Sequence, residues 1–501
     1  MGGLAKRFSM LTMAVLLGVS LAWAQQGQSP QQAPAPVEPT SGQPSGNPSA
    51  SSPEAPLAPI SQTGAQKQSG EENQGEAVPS STVPLTGAEQ YTLGHMGTAE
   101  SYFVPSFQFG QSVSTIGTGA FGTSNVEPVS TVSGLIAFHH LWSRYDLTAQ
   151  YAGTGFIYNQ QSALNTSAHE FSVMQRIEGR RSTFLLSDVV TYMPEASFGY
   201  ARFSGFSNFN GVGYGYGGLF GSNAGGLDTS FLPSQSILTG PSTRVSNSVM
   251  GEYDYQMSPL SSLTLTGSYA LLRFPSADFI NSDDAMFRLG YNHTLTPKDS
   301  VGVAYQAGIF RFNQSSSDFV THVASLTYRR TISRRMAMQF GAGPQINVFS
   351  SSAPGQDTNL DWQASAWLSY QLRRSVVAVN YQHYTSGGSG VYLGARTDDV
   401  GVYFSVPVSR TWSVDTDMGY AHNTTVQSGN LPGAGRSYDS WYGSVNFHRV
   451  LNRWLSLFVS YNLQQQLAAT PTCLGSMCGT FSTQQYFSIG LNWHPVLAGV
   501  E

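Results

Sequence analysis

Carboxylates two residues apart are the first groups in this chain with chemistry to offer. Asp415 and Asp417 form one pair, Glu252 and Asp254 another. In an extended strand successive side chains alternate sides, so both members of a pair share a face and could hold a divalent cation. The same spacing suits two solvated acids facing water. Other reactive types are dispersed: His139, His140, His169, His322, His383, His422 and His448 fall in different segments. No Gly-x-Ser-x-Gly, His-Glu-x-x-His or Cys/His metal spacing occurs. The expectation is therefore no catalytic residue, no metal and no cofactor. A Ser–His or Asp–His pair meeting across strands remains open to a barrel-embedded enzyme. Cys473 and Cys478 match neither a zinc site nor a thioredoxin-type motif, and in an exported chain they are expected to close a small disulfide loop.

Export is read from the start of the chain. Lys6 and Arg7 precede an apolar run from Met10 to Leu21, and Ala22, Trp23 and Ala24 supply a small-x-small cleavage site. Residues 1–24 are thus expected to be a cleaved signal peptide, the run being too short for a spanning helix. Residues 25–88 are rich in Pro, Gln, Ser and Gly and hold no aromatic side chain. Such a stretch cannot bury enough apolar area to offset its ordering entropy and is expected to be a disordered spacer. The chain overall is 40% hydrophobic and only 11% charged, with a net charge of −5. A soluble domain carries about 25% charged residues. No basic cluster suits nucleic acid.

The elements that would position these groups follow a beat. From about residue 130, short basic turns recur every 34 to 41 residues, near Arg144, Arg180, Pro259, Lys298, Ile332, Arg373, Arg410 and Leu451. Only the interval from Arg180 to Pro259 is doubled. Each turn is flanked by two strands of alternating polarity. After Arg410, for example, Trp412, Val414, Met418 and Tyr420 alternate with Ser413, Asp415, Asp417 and Gly419. The strands are long enough to cross a bilayer when tilted, and aromatics recur at their ends. Residues 89–501 are therefore expected to form an all-β, closed, antiparallel up-and-down transmembrane barrel of about 18 strands, within a range of 16 to 20. That places the chain in the outer membrane of a Gram-negative cell, with lipid and the barrel-assembly machinery as partners and a homotrimer as the assembly considered.

A barrel of this size cannot fill its interior with side chains, so an aqueous lumen is expected. The inward set is Arg244, Glu252, Asp254, Arg288, Asp361, Trp367, Tyr403, Asp415, Asp417 and Tyr442, with Phe310, Trp454 and Phe458 as further inward aromatics. A lining so sparse in charge suits small polar solutes, sugars among them. The longest loop, about 194–241, holds Glu195, Phe198, Tyr200, Arg202, Phe203, Phe206, Phe209, Tyr214 and Tyr216, all candidates for a constriction.

At this loop the chain resembles the bacterial porins. Pro194 and Glu195, followed by Phe198 and Gly199, are similar to the Pro-Glu-Phe-Gly start of the porin third loop, which follows the fifth strand and folds inward. The likeness in architecture covers residues 103–493 and implies a passive diffusion channel narrowed by that loop. The charged eyelet of general porins has no counterpart here, and eight residues follow Trp493 where such chains usually end. The alternatives are a polysaccharide-exporting or ligand-handling barrel that docks periplasmic partners through its spacer, a barrel enzyme, and a plugged structural or adhesive barrel.

Overall fold

The computed structural model describes residues 84–88, 101–116, 125–160, 162, 165–194, 229–231, 236–237, 243–313, 318–350, 358–426, 437–468, 481–495 and 498–499. The expected signal peptide, most of the spacer, both cysteines and every constriction candidate from Glu195 to Tyr216 lie outside these residues.

Eighteen long strands run in chain order around one antiparallel sheet. They begin with β1 (Tyr102–Ile116), β2 (Asn125–Leu141), β3 (Tyr145–Tyr158), β4 (Thr166–Glu178), β5 (Ser182–Met193) and β6 (Arg244–Ser258). Next come β7 (Ser261–Arg273), β8 (Ser282–Thr296), β9 (Asp299–Phe312), β10 (Phe319–Ser333), β11 (Met336–Phe349) and β12 (Thr358–Gln371). The ring is completed by β13 (Val376–Ser386), β14 (Ala395–Pro407), β15 (Trp412–Thr425), β16 (Ser437–Val450), β17 (Leu455–Ala468) and β18 (Phe481–Trp493). It closes through β1, where Phe109 lies opposite Val132 of β2 and Leu491 of β18. Each of the eighteen strands pairs with a neighbour on both sides, so the ring has no edge strand, the condition for a sheet to sit in hydrocarbon. Beyond Trp493 the chain does not stop: Ala498 and Gly499 extend the ladder against Phe103 and Tyr102.

The expected short turns join β2–β3, β4–β5, β6–β7, β8–β9, β10–β11, β12–β13, β14–β15 and β16–β17. The doubled interval spans the connection between Met193 and Arg244, in which the described residues include one 3-10 turn, Thr229–Phe231. Ile332 is not at a turn centre. A register shift between Thr331 and Ser333 carries β10 past it, and the turn falls at Arg334 and Arg335.

Polarity across the wall is the reverse of a soluble protein's. Along β1, Phe107 and Phe109 are 59% and 63% exposed while Ser106 and Gln108 between them are buried. The same inversion places Leu265, Leu289, Val303, Leu326, Phe340, Met418 and Ile489 on the outside. Water on that face would forfeit about 1.5–3 kcal/mol per large apolar side chain, so the medium that stabilises it is lipid. Polar-tipped girdles mark both rims. At the loop end, Tyr381 and His383 both bond Asp398 (2.9 and 2.6 Å), and Tyr420 and His422 both bond Asp439 (2.6 and 2.7 Å). At the turn end Trp142, Trp454 and Trp493 are exposed. Trp454 is therefore not an inward aromatic. It sits just before β17, in the turn, with the Arg453 guanidinium 5.3 Å from its ring centre.

Candidate functional site: the lumen

Strand parity aims a polar carpet at the interior, including Ser106, Gln108, Asn446, Ser460, Asn462 and Asn492. Polar atoms on each of these are buried without a hydrogen-bond partner among the described residues, and such groups in proteins are usually met by ordered water.

Three segments enter this space. The loop between β5 and β6 contributes a 3-10 turn, Thr229–Phe231. Phe231 is buried in an apolar cluster with Leu185, Met250, Met286, Phe310, Phe312 and Phe319. Ser248 Oγ donates to the Phe231 carbonyl at 3.1 Å, and the Arg288 guanidinium lies 4.4 Å from the ring centre. A few residues on, the same loop has reached the other side of the barrel. Ser236 Oγ donates to Asn423 Oδ1 at 2.6 Å, Asn423 Nδ2 donates back to the Ser236 carbonyl at 3.3 Å, and Ile237 packs on Tyr392, Ala395 and Tyr438. Since β6 and β15 stand opposite each other in the ring, the described residues of this loop contact both sides of the lumen.

The second segment is the β13–β14 connection. Its turn Gly388–Gly390 is buried, and the Gly390 carbonyl accepts from the Ile280 amide at 2.9 Å, spanning to the β7–β8 loop. The third is residues 84–88, from the end of the Pro-rich stretch. They lie along the wall in the turn half: Thr86 N–H donates to Asn292 Oδ1 at 3.0 Å and Ala88 N–H to Glu252 Oε2 at 2.6 Å.

The inward candidates divide by surroundings. Arg288 donates to Gln306 Oε1 (2.9 and 2.7 Å), to Ser230 Oγ (3.3 Å) and to the Gly87 carbonyl (3.3 Å). It is where the wall meets both the loop and residues 84–88. Glu252 accepts from Ala88 and, at 3.2 Å, from Thr266; Asp254 accepts from Thr264 at 2.7 Å. The pair is thus held by donors of the protein. Asp415 lies 3.4 Å from the Tyr403 hydroxyl and 4.0 Å from His448 Nε2. Asp417 is buried beside it in β15, and Tyr442 is partly buried against Met193. Asp361 sits 3.6 Å from His383 and 3.7 Å from Arg396 at the loop end, and Arg244 is buried at the start of β6. No trio of His, Cys, Asp or Glu able to hold a metal occurs among the described residues.

Between residues 84–88 and the wall of β10–β13 lies a cavity of about 90 Å³, lined by Thr86, Arg288, Gln339, Trp367, Gln382 and Tyr384 among others. It has room for several waters. Of these, Thr86, Gln339, Gln382 and Tyr384 were not singled out from sequence. Neither were Asn292, Phe231, Ser236 and Asn423, which hold the internal segments. Neutral amides on an alternating strand look alike whether they hold a segment or face water.

The shape and the inverted polarity define a closed transmembrane β-barrel with internally folded segments. No family model matches the sequence, and no curated protein does. Among solved structures it is similar to OccK2 (OpdF) of Pseudomonas aeruginosa in complex with glucuronate, with a TM-score of 0.40 and 10% identity over 81% of this chain and 100% of that one. OccAB4 of Acinetobacter baumannii gives 0.37 and 8% over 79% and 98%. OpdK of Pseudomonas aeruginosa with vanillate gives 0.38 and 8% over 79% and 98%.

Proposed function

We propose that this chain is an outer-membrane channel through which small polar solutes, sugars among them, diffuse down their gradients. The observation that carries the reading is a polar, hydrogen-bonding interior inside a lipid-facing shell, with an open cavity left beside the β5–β6 loop. The loop around Phe231 and Ser236 narrows the passage. Arg244, Glu252, Asp254, Arg288, Asp361, Trp367, Tyr403, Asp415, Asp417 and Tyr442 line it, and flat rings such as Trp367 offer stacking faces to a sugar. Selectivity then comes from width and lining, not from a chemical step. The barrel-assembly machinery inserts the chain, and a homotrimer is the assembly to test.

The rival with structural support is a plugged barrel, because three segments occupy the lumen. Refolded protein in a planar bilayer separates the two, together with liposome swelling across a series of sugars. Stepwise conductance and swelling that falls with sugar size support the channel; a silent, folded barrel sinks it. The enzyme alternative has Asp–His pairs in hydrogen-bonding reach, His139–Asp146 (2.8 Å), His383–Asp398 (2.6 Å) and His422–Asp439 (2.7 Å), but no hydrolase motif accompanies them in the sequence, and the Ser–His contacts Ser167–His169 and Ser261–His293 belong to the outward-facing side-chain set.

A further inference from the structure

Residues 84–88 make contacts of the kind a bound peptide makes. One backbone group on each of four successive residues is read by a wall side chain. The Leu85 carbonyl accepts from Gln339 Nε2 (3.5 Å), Thr86 N–H donates to Asn292, the Gly87 carbonyl accepts from Arg288, and Ala88 N–H donates to Glu252. The readers come from β6, β8 and β11, so the site belongs to the wall, and the segment presents itself as a tight turn in which Gly87 N–H donates to the Pro84 carbonyl at 3.3 Å. Leu85, Thr86 and Ala88 are all buried.

The wall is also shaped for this occupant. Thr86 lies over Gly290 of β8 and Gly302 of β9. A Cβ at Gly290 would collide with Thr86, and one at Gly302 would come within 2.8 Å of its methyl. Absent side chains at these two positions open the groove in which the segment lies. Recognition through backbone groups in a groove for small side chains defines the ligand class: a short, turn-forming peptide of small residues.

The hold is incomplete. Thr86 Oγ1 is buried without a protein partner, two of the four bonds are 3.3 Å or longer, and every bond made here can be replaced by lumen water. The segment also forms one side of the cavity, through Leu85, Thr86 and Gly87.

We propose that residues 84–88 are a tethered plug, an intramolecular peptide ligand whose release from the Glu252–Arg288–Asn292–Gln339 cradle widens the channel. The proposal rests on the channel reading above. Its test uses two variants of the full chain, both in a Cys473→Ser, Cys478→Ser background. One carries Thr86→Cys with Gly302→Cys, to fix the segment in its groove by a disulfide. The other lacks residues 84–88. Folding is checked by heat-modifiable gel mobility, and conductance is read in planar bilayers.

The oxidised double-cysteine variant is expected to stay in the low-conductance state, and reductant should raise its mean conductance roughly twofold or more. The deletion variant should be high from the outset and should fall when the peptide Pro-Leu-Thr-Gly-Ala is added. Should the deletion variant fail to fold, the redox comparison decides alone. Equal conductance before and after reduction, or a folded deletion variant that conducts like the parent, overturns the plug and leaves the channel standing. Silence from every folded form overturns both.

Discussion

The Arg288 guanidinium lies 4.4 Å from the centre of the Phe231 ring, a contact between the barrel wall and a loop that touches both sides of the lumen. The same side chain reaches Ser230 Oγ and the Gly87 carbonyl, so one cation ties two internal segments to β8. Gln306 fixes its orientation from β9 through two bonds.

Replacing Arg288 by Met keeps most of the apolar stem and removes the charge. The cation–π contact alone contributes about 0.5–2 kcal/mol, and the donors to Ser230 and Gly87 vanish with it. The loop and residues 84–88 should both loosen. The expected outcome is a larger single-channel conductance and a reversal potential shifted toward cations under a salt gradient. An unchanged reversal potential would show that Arg288 does not face the permeation path.

The far anchor of the loop gives a separate effect. Asn423 receives hydrogen bonds from Ser236 (2.6 Å) and Thr397 (2.9 Å) and donates one to the Ser236 carbonyl. Asn423→Leu has a similar volume and strands these polar groups, at about 1–3 kcal/mol. Because the loss falls on a loop and not on the ladder, the urea midpoint of the barrel should move little. Open-channel current noise should rise, as a loop released at one end fluctuates across the lumen. A quiet trace from this variant would argue against the loop as the constriction.

The strands and turns were legible because each carries its own local signal, a period of two punctuated by basic turns. Seven of the eight turn centres fall in or beside the observed turns, and Ile332 misses through a register shift that alternation cannot foresee. The interior was not legible. Thr86 meets Asn292 across 206 residues of sequence and Ser236 meets Asn423 across 187. These contacts use backbone groups, amides and vacant glycine positions, none of which stands out in a strand already full of Gly, Ser and Asn. A Pro-rich stretch read as a disordered spacer therefore hid residues 84–88, which lie against the lumen wall.

Neighbouring residues of β15 test the inverted wall. Met418 is 52% exposed on the lipid face, while Asp417 beside it is buried on the lumen side. Met418→Arg puts a charge near the middle of the strand and should destabilise the barrel by about 2–4 kcal/mol in lipid-vesicle unfolding. Asp417→Asn keeps the shape, should cost far less, and should lower cation preference. Equal costs for the two would mean that the strand does not separate lipid from lumen.

A hydrogen-bonded polar pair lies near the middle of the lipid-facing side. Asp188 near the middle of β5 and Asn247 of β6 share the outward parity of Leu186 and Val249, and Asn247 Nδ2 donates to Asp188 Oδ1 at 2.6 Å. In hydrocarbon, Asn247→Val alone should destabilise by about 1–3 kcal/mol, because it strands a carboxyl that has no water to turn to. Adding Asp188→Val removes the group left stranded, and a fully apolar pair suits lipid better than a half-satisfied one. The double variant should therefore regain the parent's stability or exceed it in urea unfolding of vesicle-inserted protein. If another copy of the chain covers this patch, the opposite holds. The double variant would then lose stability, and cross-linking that traps oligomers of the parent would fail, so the sign of one measurement decides whether Asp188 faces lipid or protein.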